Sequence, residues 1–106
     1  MAKIDTEIIA MNIIANSGEA RSFAFRALDE AKKGNYEESE KLMKSSKESA
    51  IEAHKVQTEL LVSEADGEKA DINVLLIHSQ DHLMTSMLAQ ELIKEIIVLH
   101  EEYRRK

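Results

Sequence analysis

No feature constrains the fold of this chain more than its lack of proline and its possession of only three glycines in 106 residues. Tight turns draw on proline and glycine for their special dihedrals, whereas both interrupt a helix interior. A chain that withholds them reads as helix with few breaks. Gly34 and Gly67 mark those breaks and leave Met1–Lys33, Asn35–Asp66 and Glu68–Lys106, segments of 33, 32 and 39 residues. Each glycine follows a helix-favouring stretch, where the position just past a helix end favours a left-handed residue. The expected fold is therefore all-α, with three long helices. About 30 residues make a rod of roughly 45 Å, so short loops predict an antiparallel, spectrin-repeat-like three-helix bundle forming one domain over residues 1–106.

Composition agrees with a packed domain and narrows its partners. Apolar residues make up 43% and charged residues 32% of the chain, which suits folding rather than disorder. The formal charge is -6, the wrong sign for neutralising a phosphate backbone, so nucleic acid is not an expected partner. Cysteine is absent, which excludes disulfides, thiolate metal sites and thiol catalysis. The apolar runs at Val74–Ile77 and Ile96–Leu99 are islands, far short of the roughly 18 to 20 residues that span a bilayer. With no leader-like opening, the expected location is the cytoplasm, without membrane insertion.

Helical spacing assigns faces. In the first segment Ile4, Ile8, Met11, Ala15, Gly18, Ser22 and Phe25 form one stripe, and Ile13, Ser17, Ala20, Ala24, Ala27 and Ala31 form a second, small-residue stripe suited to close helix approach. Gly18 either serves that approach or kinks the helix. In the second segment Leu42, Met43, Ala50, Ala53, Val56 and Leu60 turn inward, while Glu37–Lys41 and Glu40–Lys44 take the favourable i,i+4 offset on a solvated face. Glu64–Ala70 reads as a polar loop, with Asp71 as N-cap of the third helix. That helix is apolar on two sides. Ile72, Leu75, Leu76, Leu83, Met87, Ile93 and Ile97 cover one, and Val74, Ile77, Met84, Leu88, Leu92 and Leu99 cover another. A bundle of three helices buries one face of each, so the second face predicts further copies of the chain.

Any chemistry is expected in the block His78-Ser79-Gln80-Asp81-His82-Leu83-Met84-Thr85. His78, Asp81 and His82 stand at i, i+3 and i+4 and share one side of a helix. Spacing alone leaves several readings open. A His-x-x-x-His pair can ligate zinc, yet Ser79 occupies the place where zinc proteases carry a glutamate. The histidines can equally be satisfied packing residues. Asp81 falls among Val74, Ile77, Met84 and Leu88, on the apolar side assigned to self-association, or else on a misphased solvent face. Were three copies to meet there, ionised carboxylates about 4 Å apart would repel by about 4 kcal/mol per pair at an effective dielectric of 20, which calls for a proton or a cation.

These residues carry a resemblance. Gly18-Glu19-Ala20-Arg21-Ser22, Glu52-Ala53-His54 with Gln57-Thr58, and above all the His78–Thr85 block make the chain resemble, over essentially its whole length, the IIA component of the lactose/cellobiose class of the bacterial phosphoenolpyruvate-dependent sugar phosphotransferase system. The resemblance implies that His78 is the phosphohistidine, taking its phosphoryl group from phospho-HPr and passing it to a cysteine of the IIB component. It further implies a homotrimer in which Asp81 from each of three subunits surrounds a divalent cation, magnesium by the hardness of all-oxygen ligands. The sugar is left open among cellobiose, lactose and chitobiose types. Gln80 and His82 are the nearest candidates to support His78, with His54 and Gln57 approaching from the second helix. No glycine-rich phosphate loop is present, so the expected donor is a protein rather than a nucleotide.

A reading from another class is a helical adaptor. Ala31–Ser39 resembles the turn of a tetratricopeptide repeat, with Tyr36 opening the next helix. Gly67 follows Gly34 by 33 residues, near the repeat period, but no aromatic residue follows it, and such arrays need about three repeats to bury a core.

Overall fold

A computed structural model describes residues 5–105 as three α-helices: α1 (Thr6–Lys32), α2 (Tyr36–Ala65) and α3 (Val74–Arg105). They form a rod of 59 × 20 × 17 Å. Ile4, expected at the head of the first stripe, lies outside the described residues.

Each helix ends where local chemistry ends it. The Asp5 carboxylate accepts a hydrogen bond from the Ile8 N–H at 3.1 Å and caps α1. At its other end Gly34, with φ 85°, donates its N–H to the Ala31 carbonyl at 2.9 Å, and the Asn35 N–H returns to Glu30 at 2.9 Å. Gly67, with φ 93°, closes α2 in the same way, its N–H reaching Glu64 and that of Glu68 reaching Ser63. A side chain would be strained in either left-handed conformation, which is why these two glycines divide the chain. The cap of α3 corrects the expectation. It is Asn73, whose Oδ1 accepts from the Leu76 N–H at 2.8 Å, and not Asp71. Both are good N-cap residue types, and the later start leaves Ile72 ahead of the helix and 74% exposed rather than in the buried stripe.

α1 is the central element. It packs along both other helices, while α2 and α3 meet only sparingly. The small-residue stripe is what allows this: Ala10, Ile13, Ser17, Ala20, Ala24, Ala27 and Ala31 are all within 1% of complete burial. The competing stripe of Ile8, Met11 and Phe25 faces outward. Gly18 neither breaks α1 nor serves an approach within the chain, since a Cβ there would meet nothing within 4 Å.

Two apolar layers and one polar layer set the register. Ala10, Leu60 and Leu76 make one layer, and Ile13, Ala53 and Leu83 the next, with Ile9 spanning both. Farther along, Ser46 Oγ donates to the Ala20 carbonyl at 2.6 Å and itself accepts from Gln90 Nε2 at 3.0 Å, so one chain of hydrogen bonds joins all three helices. Ser39 Oγ likewise donates to the Ala27 carbonyl at 2.8 Å. On α3 Leu76, Leu83 and Ile93 are buried as the spacing predicts. Val74, Ile77, Met84, Leu88, Leu92 and Leu99, the second apolar face, are each more than half exposed.

Candidate functional site

The Asn73 cap fixes where α3 begins, and its inward residues fix how it is rotated. Leu76, Ser79, Leu83 and Ser86 recur at 3-4-3 spacing and are all buried, with the Ser79 hydroxyl donating to the Leu76 carbonyl. Rotation of that face into the bundle necessarily turns Asp81 to the opposite side. Val74, Ile77, Asp81, Met84 and Leu88 then run at 3-4-3-4 spacing down an entirely exposed face, with the carboxylate at its middle. This is the seam spacing of a coiled coil, and the single chain leaves it uncovered.

His78 lies beside that seam, in the second turn of α3, and is exposed. His82, one turn on, is half-buried, and the two imidazoles meet edge to face with centroids 4.5 Å apart and planes at 85°. The contact limits rotation of the His78 ring while leaving it open to an incoming molecule. Between them the Asp81 carbonyl accepts from Thr85 Oγ1 at 2.7 Å. A neutral imidazole held this way is a competent nucleophile near neutral pH.

The other expected residues take different places. Gln80 is two positions from His78 and therefore about 160° around the helix. Its amide donates to Ser79 Oγ at 3.2 Å, so within one chain it does not meet His78. His54 is exposed on α2, where its carbonyl accepts from Thr58 Oγ1 at 3.0 Å. Gln57 is half-buried and its Oε1 has no hydrogen-bond partner. Among the described residues no hydrogen bond joins either one to His78 or His82. Sequence reasoning missed Asn73 and Ser79 as the residues that position the His78 turn. The signal was present, because Ser79 stands at i+3 from Leu76 and i−4 from Leu83.

For a metal the donor set is informative. Among the described residues no group of three His, Cys, Asp or Glu side chains converges, so one chain offers no chelate to the His78–His82 pair. Asp81 offers a single carboxylate at the centre of an uncovered apolar seam. Three such carboxylates brought together would supply hard oxygen ligands, which suit a magnesium- or calcium-like ion.

Residues 8–101 match the family model described as the lactose/cellobiose-specific IIA subunit of the phosphotransferase system. The chain is 46% identical over 100 residues to the N,N'-diacetylchitobiose-specific EIIA component of Escherichia coli, covering 94% of this chain and 86% of that one. It is 38% identical to the lactose-specific EIIA component of Streptococcus mutans, covering 95% and 97%. Among solved structures, the cellobiose-specific enzyme IIA of Bacillus anthracis superposes with a TM-score of 0.94 at 48% identity, covering 99% and 96%. A IIA(chitobiose) chain solved in complex with HPr superposes with a TM-score of 0.83 at 44% identity, covering 95% and 98%. The chain belongs to the lactose/cellobiose-specific IIA family, the phosphoryl-carrier components of the sugar phosphotransferase system.

Proposed function

We propose that His78 is the phosphoryl acceptor, charged by phospho-HPr and discharged onto a cysteine of a IIB component that serves uptake of a β-linked disaccharide. The observation that carries the reading is the exposed His78 imidazole, held edge-on by His82 on a rigid helix. Relatives named for chitobiose, lactose and lichenan support the sugar class. The structure solved with HPr supports the donor. These relationships displace the adaptor alternative. No helix among the described residues is long and apolar enough to cross a membrane, and the family membership is what supports a cytoplasmic carrier.

Two transfers make up the cycle. In the first, a ring nitrogen of His78 forms a bond to phosphorus as the P–N bond of the donor histidine breaks. The donor ring leaves neutral, and the proton on the other nitrogen of His78 stays with the phosphorylated ring. In the second, the acceptor thiolate forms a P–S bond, the P–N bond to His78 breaks, and the imidazole is restored. A loose phosphoryl transition state needs in-line alignment more than covalent assistance. His82 supplies alignment by restricting the His78 ring, and Gln80 would contribute only from another subunit.

The uncovered seam supports a homotrimer centred on α3, with Asp81 of each subunit holding one divalent cation, magnesium for all-oxygen ligands. A cation there neutralises three carboxylates that would otherwise repel across a shared axis. The phosphoryl-acceptor reading is tested by incubating the chain with phosphoenolpyruvate, enzyme I and HPr and measuring intact mass. The expected gain is one acid-labile phosphoryl group, absent from His78→Ala. Undiminished labelling of that variant, or a label mapped to His54, His82 or His100, refutes the assignment.

A further inference from the structure

A groove of about 1030 Å³ runs between α2 and α3, well away from His78. Its walls are Tyr36 to Lys47 on α2 and Gln90 to Glu101 on α3, so its near end lies about 18 Å along α3 from His78 and its far end about 35 Å. The groove follows from the packing already described. α1 draws both neighbours onto its alanine stripe, while Ser39 and Ser46, which could face across the gap, turn inward to carbonyls of α1. Met43 and Ile97, both half-buried, form an apolar floor beside the exposed Val98.

The lining selects the kind of occupant. Sites for small polar ligands gather several convergent hydrogen-bonding groups. Here the inner amide is that of Gln90, and it already donates to Ser46. The dimensions instead suit a helix. The twelve residues from Tyr36 to Lys47 span about 17 Å, or three helical turns, and a helix about 10 Å wide with its side chains and that long fills about 1300 Å³, comparable with the groove. Charge sets its direction. Tyr36 OH meets His100 Nδ1 at 2.9 Å at one end, where Glu37, Glu40 and Glu101 line the walls. Toward the layer of Ser46 and Gln90 stand Lys44 and Lys47, accompanied by Glu91, with Lys41 and Lys94 between the two ends. A helix carries a partial positive charge at its N-terminus and a negative one at its C-terminus, so the glutamates favour the first and the lysines the second. The groove residues Gln90, Lys94, Ile97 and Glu101 form a different stripe of α3 from Leu88, Leu92 and Leu99. Copies meeting through the seam would leave it open.

We propose that this groove seats an amphipathic helix of a partner protein, apolar on its inner side and acidic in its last turn, with its N-terminus toward Glu37 and its C-terminus toward Lys44 and Lys47. This is the helix-in-groove mode of recognition. Engagement there does not cover His78, so the partner binds the phosphorylated and the free carrier alike. The inference is independent of which residue accepts the phosphoryl group.

Two fluorescein-labelled peptides of about four helical turns test it against the full chain by fluorescence anisotropy. One has a leucine stripe, lysines in its first turn and glutamates in its last, and the other has these charges exchanged. The first is expected to bind with a micromolar Kd, at least about ten-fold tighter than the second. The Lys44→Glu/Lys47→Glu variant is expected to reverse the preference. Equal binding of the two peptides, no binding below about 1 mM, or an unchanged preference in the variant overturns the proposal. A Lys41→Cys variant, on the α2 wall of the groove and away from the α3 seam, supplies the control for self-association, since the native chain has no cysteine. Rapid disulfide cross-linking of that variant to a second copy overturns the proposal by assigning the groove to self-contact. Phosphoryl acceptance from HPr, followed by mass, is expected to be the same with and without the first peptide, and inhibition by it would refute an occupant placed clear of His78.

Discussion

Ser46→Ala tests whether the polar layer holds the three helices together. The Ser46 hydroxyl is fully buried, donates to the Ala20 carbonyl of α1 at 2.6 Å and accepts from Gln90 of α3 at 3.0 Å. Alanine is nearly the same size, so no cavity term enters and the loss is one of hydrogen bonding. Each bond has a net worth of about 1 kcal/mol. The Ala20 carbonyl retains its place in the α1 ladder, and the Gln90 amide borders the open groove, where water can replace the lost acceptor. Both points keep the penalty near the sum of two ordinary bonds, about 2 kcal/mol, which for a domain of this size lowers Tm by about 4–8 °C per kcal/mol. The assay is urea unfolding at fixed protomer concentration, since association would otherwise alter the apparent stability. A cycle with Gln90→Leu separates the terms: the two single losses should exceed the double loss by about 1 kcal/mol, because each removes the same Ser46–Gln90 bond. Additive effects, or a Ser46→Ala protein as stable as the native one, would show that the layer merely fills space.

Gly34→Ala should destabilise by about 1–2 kcal/mol from the left-handed backbone alone. Its Cβ would also meet the Arg104 guanidinium, the tip of a flexible, exposed side chain that can swing aside, so adding Arg104→Ala is expected to recover little of the loss in thermal melts. Gly18→Ala should have the opposite sign and raise stability by about 0.5–1 kcal/mol, because the position is mid-helix and open. A loss of stability there would reveal a close neighbour outside the single chain. Asp81→Leu should retain or strengthen the proposed trimer in sedimentation and abolish any response to chelators, since packed hydrocarbon often replaces a buried charge cluster favourably. A native chain that sediments as a monomer at micromolar concentration would refute the seam.

What the sequence made legible was whatever depends on position within one helix. Gly34 and Gly67 announce the helix ends because their left-handed φ is a local requirement. The alanine stripe of α1 and the 3-4-3 spacing of Leu76 and Leu83 are visible for the same reason, and the His78–His82 contact follows from an i,i+4 offset. The choice between Asp71 and Asn73 was not legible, because both cap equally well and only packing of the following turn decides. Nor could spacing say which stripe of α1 would be covered. Ile8, Met11 and Phe25 are the more apolar set, yet the small residues won because closeness to two neighbours at once requires little side chain. Residues on different helices were harder still. His54 and Gln57 share a helix but not a partner with His78, and the groove between α2 and α3 exists because Ser39 and Ser46 turn away from it.

The alanine stripe also shapes how this family member can change over generations. Positions such as Ala20, Ala24, Ala27 and Ala31 have almost nothing to lose by truncation, so nearly every available substitution there adds volume where two helices already touch. Enlargement forces backbone shifts along both interfaces together, whereas the outward side of the same helix tolerates replacement residue by residue. Sequence drift on α1 is therefore expected to be one-sided. The central helix acts as a ratchet that admits variation toward solvent and rejects it toward its neighbours, and the placement of His78 on α3 inherits that constancy without any contact of its own with most of the stripe.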